Sequence, residues 1–245
     1  MTGQFNKRTY LTETEFSVCC AAAGIEKLPS FRFRSDELPG APETGEALFG
    51  MQRRGLLRAE DGALVLEPEL SGCFRAIKYA EGYVELYRDM RAEGPCCLLF
   101  ASGDSLVSVS PGTPGREYAA VSRRGVEQMD EWLEDWGLFL PGNPEDDGGE
   151  DEAEEPEDAG LAEFLLRSAR AGGDSWRQGA PEQVAACLDC RSIRDGSLRA
   201  RLFLVHQSLT DLLVLGSGED VALYRYSRRR LAELTEMLLR EEKTL

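Results

Sequence analysis

The sequence predicts an α+β fold: two pseudo-symmetric halves sharing a predominantly antiparallel central sheet, flanked by helical bundles. Three observations carry that prediction. Apolar residues recur at helical spacing up to about residue 80, give way to short β-rich runs after Gly82, and both patterns return beyond residue 160. A proline- and acid-rich stretch separates the two rounds. The twelve residues from 122, SRRGVEQMDEWL, are nearly respelled 105 residues later as SRRRLAELTEML.

The first half opens with LTETEFSVCCAAAG. Thr12 and Glu15 have capping-box spacing, Phe16, Cys19, Cys20 and Ala23 fall on one helical face, and Gly24 stops the helix. A second short helix is expected near Gly45 to Arg54, ending at Gly55. In RGLLRAEDGALVLEPEL, Asp61 and Gly62 sit between two apolar runs and signal a tight hairpin. Pro68 suits the first turn of the next helix, whose Leu70, Phe74 and Ile77 form an apolar stripe. Helix, helix, hairpin, helix is also the order of a winged helix, but a DNA-binding version needs a basic recognition face.

Past Gly82 the pattern turns extended. GYVELYRD, CCLLFAS and SLVSVS read as a meander turning at Ser102-Gly103-Asp104, and REYAAV follows the PGTPG turn. Ser122 is then expected to cap a helix bearing Val126, Met129, Leu133 and Trp136. In the second half, helices are expected at Leu161 to Ala171 and Pro181 to Cys190, then strands RARLFLVH, DLLVLG and VALYRY, then a helix capped by Ser227 with Leu231, Leu234 and Leu238 inward. Residues 96–133 overlie 201–238 without a gap, which argues for two copies of one strand-strand-strand-helix unit over chance convergence. The expected organisation is a half at 1–140, a linker at 141–160 and a half at 161–245.

Composition narrows the function classes. The chain has 245 residues and a net charge of −16, which disfavours nonspecific binding to nucleic acid or anionic membrane, since both need a basic surface. Ten of the fourteen residues in EDDGGEDEAEEPED, from Glu145 to Asp158, are acidic, so the rest of the chain is only mildly so. With Pro141, Pro144 and Pro156 this reads as a solvated connector. The start, MTGQFNKRTY, lacks a signal-peptide core, and no apolar stretch approaches bilayer length, so the expected setting is cytoplasmic, without membrane insertion. Seven cysteines without a secretion signal suggest reduced thiols.

Chemical sites are sparse. His206 is the only histidine and sits beside Leu204 in an expected strand, which fits a core or edge position better than a metal or nucleophile partner. Cys187 and Cys190 have CxxC spacing without the βαβ context of a redox motif, and Cys19, Cys20, Cys96 and Cys97 lack zinc-knuckle spacing. No nucleotide motif occurs, so no cofactor, metal or catalytic residue is expected. Arg123, Arg124, Arg228, Arg229 and Arg230 all fall in expected helix first turns, where the macrodipole disfavours cations by about 0.3 to 1 kcal/mol each. They point either to an anionic partner or the acidic connector, or to exposed arginines whose stems cover apolar surface; the weakness of surface ion pairs favours the second.

The order LTETEFSVCCAAAGIEKLP, EALFGMQRRGLLRAEDGALVLEPELSGCF, meander and SRRGVEQMDEWL, with the closing LRARLFLVHQSLTDLLVLGSGEDVALYRYSRRRLAELTEMLL, resembles the EspG-type chaperones of type VII secretion. The resemblance implies a protein partner: a helical secretion substrate held soluble in the cytosol until export. It also implies that a loop between sheet strands and the closing helix grip that substrate. By position these are Ser110, Pro111, Gly112, Thr113, Pro114 and Gly115 in the loop, and Arg228, Arg229, Leu231 and Leu234 in the helix at Ser227 to Arg240. The loop is short and the acidic connector is foreign to the family pattern. A non-catalytic interaction scaffold or regulator, docking through its winged-helix-like first segment, is the alternative. The sequence leaves oligomeric state open.

Overall fold

Thr12 marks the first structural decision of the chain, in a computed structural model that describes residues 8–26, 28, 40–92, 94–110, 118–139, 156, 158–170, 175–208 and 211–240. It ends strand β1 (Thr9–Thr12) and caps helix α1 (Glu13–Ala23). Its hydroxyl accepts from the Glu15 amide at 3.2 Å and the Glu15 carboxylate accepts from the Thr12 amide at 2.9 Å, so the expected capping box forms. Gly24, at φ 68°, ends the helix as expected. Helix α2 (Ala41–Arg53) begins earlier than the sequence suggests, because Pro42 already suits its first turn. Strands β2 (Leu57–Glu60) and β3 (Ala63–Leu66) form the expected hairpin, with Asp61 at φ 51° and Gly62 at φ 84° in the left-handed pair that a type I′ turn requires. Helix α3 (Pro68–Tyr79) buries Leu70, Phe74 and Ile77.

Four strands follow: β4 (Gly82–Tyr87), β5 (Cys97–Ser102), β6 (Ser105–Ser110) and β7 (Tyr118–Gly125). A 3-10 turn (Val126–Gln128) then leads into α4 (Met129–Asp135). After α5 (Ala159–Arg170) come β8 (Val184–Ser192), β9 (Leu198–Val205), β10 (Leu212–Ser217), β11 (Asp220–Arg225) and α6 (Arg228–Arg240). Helix, four strands, helix therefore occurs twice, as α3–β4–β5–β6–β7–α4 and α5–β8–β9–β10–β11–α6. The fold is α+β, and every pairing whose register is described is antiparallel.

Two expectations are corrected. Ser122 caps no helix: it lies inside β7 opposite Ser108, with the two hydroxyls 2.6 Å apart, and the helix begins only after Gly125. Arg123 and Arg124 are consequently strand residues, paired with Val107 and Leu106, rather than first-turn cations. Residues from Pro181 to Cys190 are not helical either, since β8 occupies Val184–Ser192. Most of that strand is buried on both faces, so its apolar residues run together without the alternation that reveals a half-buried strand. The expected connector at 141–160 lies largely outside the described residues; α5 begins at Ala159.

The chain divides into two compact units. One spans Met1–Ala80 and Leu99–Gly125, with strand order β1-β7-β6-β5 and the separate β2–β3 hairpin. Its core joins α1 to α3 through Phe16 and Phe74, whose ring centroids are 5.1 Å apart. Leu11, Met51, Ile77 and Val107 are fully buried there, each worth roughly 1.5–3 kcal/mol relative to exposure. The other spans Glu81–Leu98 and Val126–Leu245, with strand order β4-β8-β9-β10-β11. On one face of this sheet Phe164, Leu165 and Trp176 pack on Tyr87, Cys187, Phe203 and Val214. Helix α5 approaches β10 so closely that a Cβ on Gly216 would overlap Ala169, so only glycine fits. Helix α6 packs on β4 and β8, burying Leu231, Leu234, Leu238 and Leu239.

Candidate functional site

The loop and closing helix singled out in the sequence differ in what the structure describes. Ser110 ends β6, while Pro111, Gly112, Thr113, Pro114 and Gly115 lie outside the described residues. Ser227 caps α6 as expected, its hydroxyl accepting from the Arg230 amide at 3.0 Å. The first turn of α6 holds no acid. Arg228 and Arg229 are exposed, but Leu231 is 0% and Leu234 4% exposed. Those two leucines face the interior, because the inward stripe of α6 starts at Leu231; its exposed side carries Arg228, Arg229, Glu233 and Arg240.

The first turn of α6 is ordered by its own surroundings. The Arg228 guanidinium lies 4.6 Å from the centre of the Phe139 ring, and that of Arg230 lies 5.2 Å from Tyr224. Glu233 takes Arg229 at 2.8 Å and Arg230 at 3.3 Å from one helical turn away.

His206 is not in the core. It lies just past β9 with 62% of its side chain exposed, its Nδ1 2.6 Å from Oδ1 of Asp211. The same oxygen accepts from the Gln207 amide at 3.1 Å, so the pair ties the connection between β9 and β10. A cavity of about 320 Å³ beside it is lined by Asp158, Leu161, Gln183, His206, Gln207 and Ser208. Oδ1 of Asp158 is occupied in capping α5, accepting from the Leu161 amide at 2.8 Å.

The cysteines form no disulfide and are mostly interior. Cys187 and Cys190 stand three apart on a strand, which sends them to opposite faces: Cys187 joins the cluster under α5, and Cys190 donates to the Leu238 carbonyl of α6 at 2.9 Å. Burial pushes the Cys20 and Cys73 thiols up to about 12 and those of Cys96 and Cys190 up to about 11. Burial also raises Cys19 and Cys187. These are poor nucleophiles. Among the described residues no group of three or more histidine, cysteine, aspartate or glutamate side chains is placed to hold a metal ion, and no helix is long and apolar enough to cross a membrane.

One polar cluster went unseen in the sequence. Glu85, Asp189 and Arg201 are cross-strand neighbours on β4, β8 and β9. Arg201, wholly buried, grips Asp189 through Nε at 2.6 Å and Nη2 at 2.7 Å, and donates from Nη1 to the Ser168 carbonyl at 2.8 Å. Arg191 bonds Glu85 at 2.6 Å, and the Tyr87 hydroxyl donates to the same carboxylate at 2.9 Å. Burial works against the Arg201 charge, but the hydrogen bonds and charge of Asp189 more than offset it and raise its pKa. Nothing in RARLFLVH separates Arg201 from Arg199; only register against Asp189 does.

No family model and no curated protein matches the chain. A solved structure does: the type VII secretion system chaperone EspG5 of Mycobacterium tuberculosis in complex with a PE25–PPE41 dimer, with a TM-score of 0.53 at 14% identity over 95% of this chain and 96% of that one. In fold, the chain is similar to a type VII secretion chaperone. Both chains are covered almost end to end, so the likeness extends to the whole fold rather than to one common module. At 14% identity it speaks to fold, not to function.

Proposed function

We propose that this protein is a non-catalytic, cytoplasmic chaperone that binds a helical secretion substrate and holds it soluble before export, the role that the resemblance to EspG-type chaperones implies. The observation that carries this reading is the end-to-end fold likeness to EspG5, a chaperone solved with a protein dimer bound. The proposed contact regions are the segment from Ser110 to Gly115 and the exposed arginines Arg228 and Arg229 at the start of α6.

Co-purification of the tagged full chain from its native cytosol tests the proposal. Recovery of a small helical protein encoded beside it, lost on Arg228→Glu/Arg229→Glu with an unchanged unfolding midpoint, is the expected result. Failure to bind every helical protein encoded nearby would overturn it. The scaffold alternative draws on a different observation: Phe49 on α2 and Leu64 and Val65 on the β2–β3 hairpin are exposed in the helix-helix-hairpin-helix segment. A partner lost on Phe49→Ser or Leu64→Ser/Val65→Ser but indifferent to the arginines would favour that reading.

A further inference from the structure

Strands β1 and β11, each at an end of the strand order of its own unit, are guarded differently. Strand β1 has only four residues, and the Tyr10 carbonyl accepts from Arg54 Nη1 at 2.8 Å. Short length and an engaged carbonyl are ordinary ways of blunting a sheet edge. Strand β11, with six residues reading DVALYR, has neither proline nor lysine nor a register break against β10. It ends its strand order, and among the described residues no backbone pairs with its outer side.

Which groups face outward follows from the turn. Ser217 and Asp220 flank a two-residue loop, Gly218-Glu219, with Gly218 at φ 62°. A two-residue hairpin makes its flanking residues a hydrogen-bonded pair, so Asp220, Ala222 and Tyr224 bond to β10. The amides and carbonyls of Val221, Leu223 and Arg225 point away from it. Side chains on both faces are half-buried, with Val221 and Leu223 resting on the α5 cluster and Tyr224 under Arg230. The open feature of β11 is its backbone edge.

We propose that this edge pairs with the same edge of a second copy of the chain, forming a two-fold antiparallel dimer through β11. Pairing only outward groups permits a two-fold axis at Ala222 or at Leu223. The first sets Val221 against Leu223 of the second copy, and the second sets Leu223 against itself. Charge suits both. Arg225 is exposed and has no acidic partner among the described residues, as Glu219 has no basic one. Either axis brings Arg225 one cross-strand or diagonal step from Glu219 of the second copy, within reach of long side chains, and symmetry makes that contact twice. The dimer does not depend on the chaperone reading.

Sedimentation equilibrium of the full chain tests this, together with residue-resolved amide exchange. The expected result is a reversible monomer–dimer equilibrium in which the Val221 and Leu223 amides exchange more slowly as concentration rises, while Ala222 and Tyr224, already bonded to β10, do not respond. Arg225→Glu turns two attractions into repulsions and weakens association about tenfold. Glu219→Arg combined with Arg225→Glu restores it, a rescue that a damaged fold does not show. A chain that stays monomeric at all concentrations overturns the proposal. So does a dimer indifferent to Arg225→Glu with unchanged exchange at Val221 and Leu223.

Discussion

Arg201→Met puts a number on the buried cluster. The substitution keeps the stem volume but removes two hydrogen bonds to Asp189, one to the Ser168 carbonyl, and the cation over Trp176 at 4.7 Å. Removing one member of a buried ion pair costs about 3–5 kcal/mol, because the other charge is left desolvated. Arg191 Nη2 stands 3.4 Å from the Asp189 carboxylate and compensates in part, which places this case near the lower end, about 3 kcal/mol. At a urea slope of roughly 2–3 kcal/mol/M, the unfolding midpoint falls by about 1–1.5 M. Asp189→Leu added to Arg201→Met removes both charges, and Arg191 keeps Glu85 at 2.6 Å, so stability returns to within about 1 kcal/mol of the starting protein, the remainder being the orphaned Ser168 carbonyl. Equilibrium urea denaturation followed by tryptophan fluorescence measures both. A single variant that loses less than about 1 kcal/mol, or a double variant no better than the single, would refute the reasoning.

Three other outcomes are expected. The raised thiols predict alkaline sensitivity: a folded pKa above the unfolded value contributes stability that is full below about pH 9 and is lost as pH rises toward about 11–12. Urea midpoints should therefore fall across that window, and less steeply in Cys73→Ala, whose thiol is pushed up to about 12. Gly216→Ala drives a methyl into Ala169 and should cost about 1–3 kcal/mol in thermal unfolding, with loss of amide protection in α5 before the rest of its unit. Ser227→Ala removes a helix cap worth about 1 kcal/mol, so circular dichroism should report lost helix; Ser122→Ala instead strands the Ser108 hydroxyl, lowering the midpoint without a helical signature.

What sequence reading captured and missed follows from the range of the interactions involved. The capping box at Thr12, the Asp61-Gly62 turn, Pro68 and the Gly24 stop were legible because each is decided within about four residues. Strand β1 went unseen because four residues with one buried side chain leave no periodic signal, and its identity comes from pairing with β7 more than 100 residues away. Strand β8 carries no strand signal for the complementary reason, since burial on both faces erases alternation. In the candidate site, the exposed arginines and the Ser227 cap were legible. The burial of Leu231 and Leu234 was legible too and argues against them as contact residues. The pairing of Asp189 with Arg201 was not, because it depends on strand register.

The serine-arginine-arginine word spelled twice shows where local resemblance stops deciding structure. After Ser227 come Arg, Arg, Arg, Leu, Ala, Glu and Leu, nearly all strong helix formers, and the cap starts α6 immediately. After Ser122 the same Arg-Arg is followed by Gly125 and the β-branched Val126, together disfavouring helix by roughly 1–2 kcal/mol relative to alanine. Meanwhile β6 offers a partner for every residue from Ala120 to Gly125, with a serine set against Ser122 and the Ser105 hydroxyl accepting from Arg123. A weak helical preference meets a complete set of sheet hydrogen bonds, and the sheet prevails until Gly125. The element order therefore repeats between the two rounds while the residue-by-residue alignment does not, because what each segment packs against decides its structure.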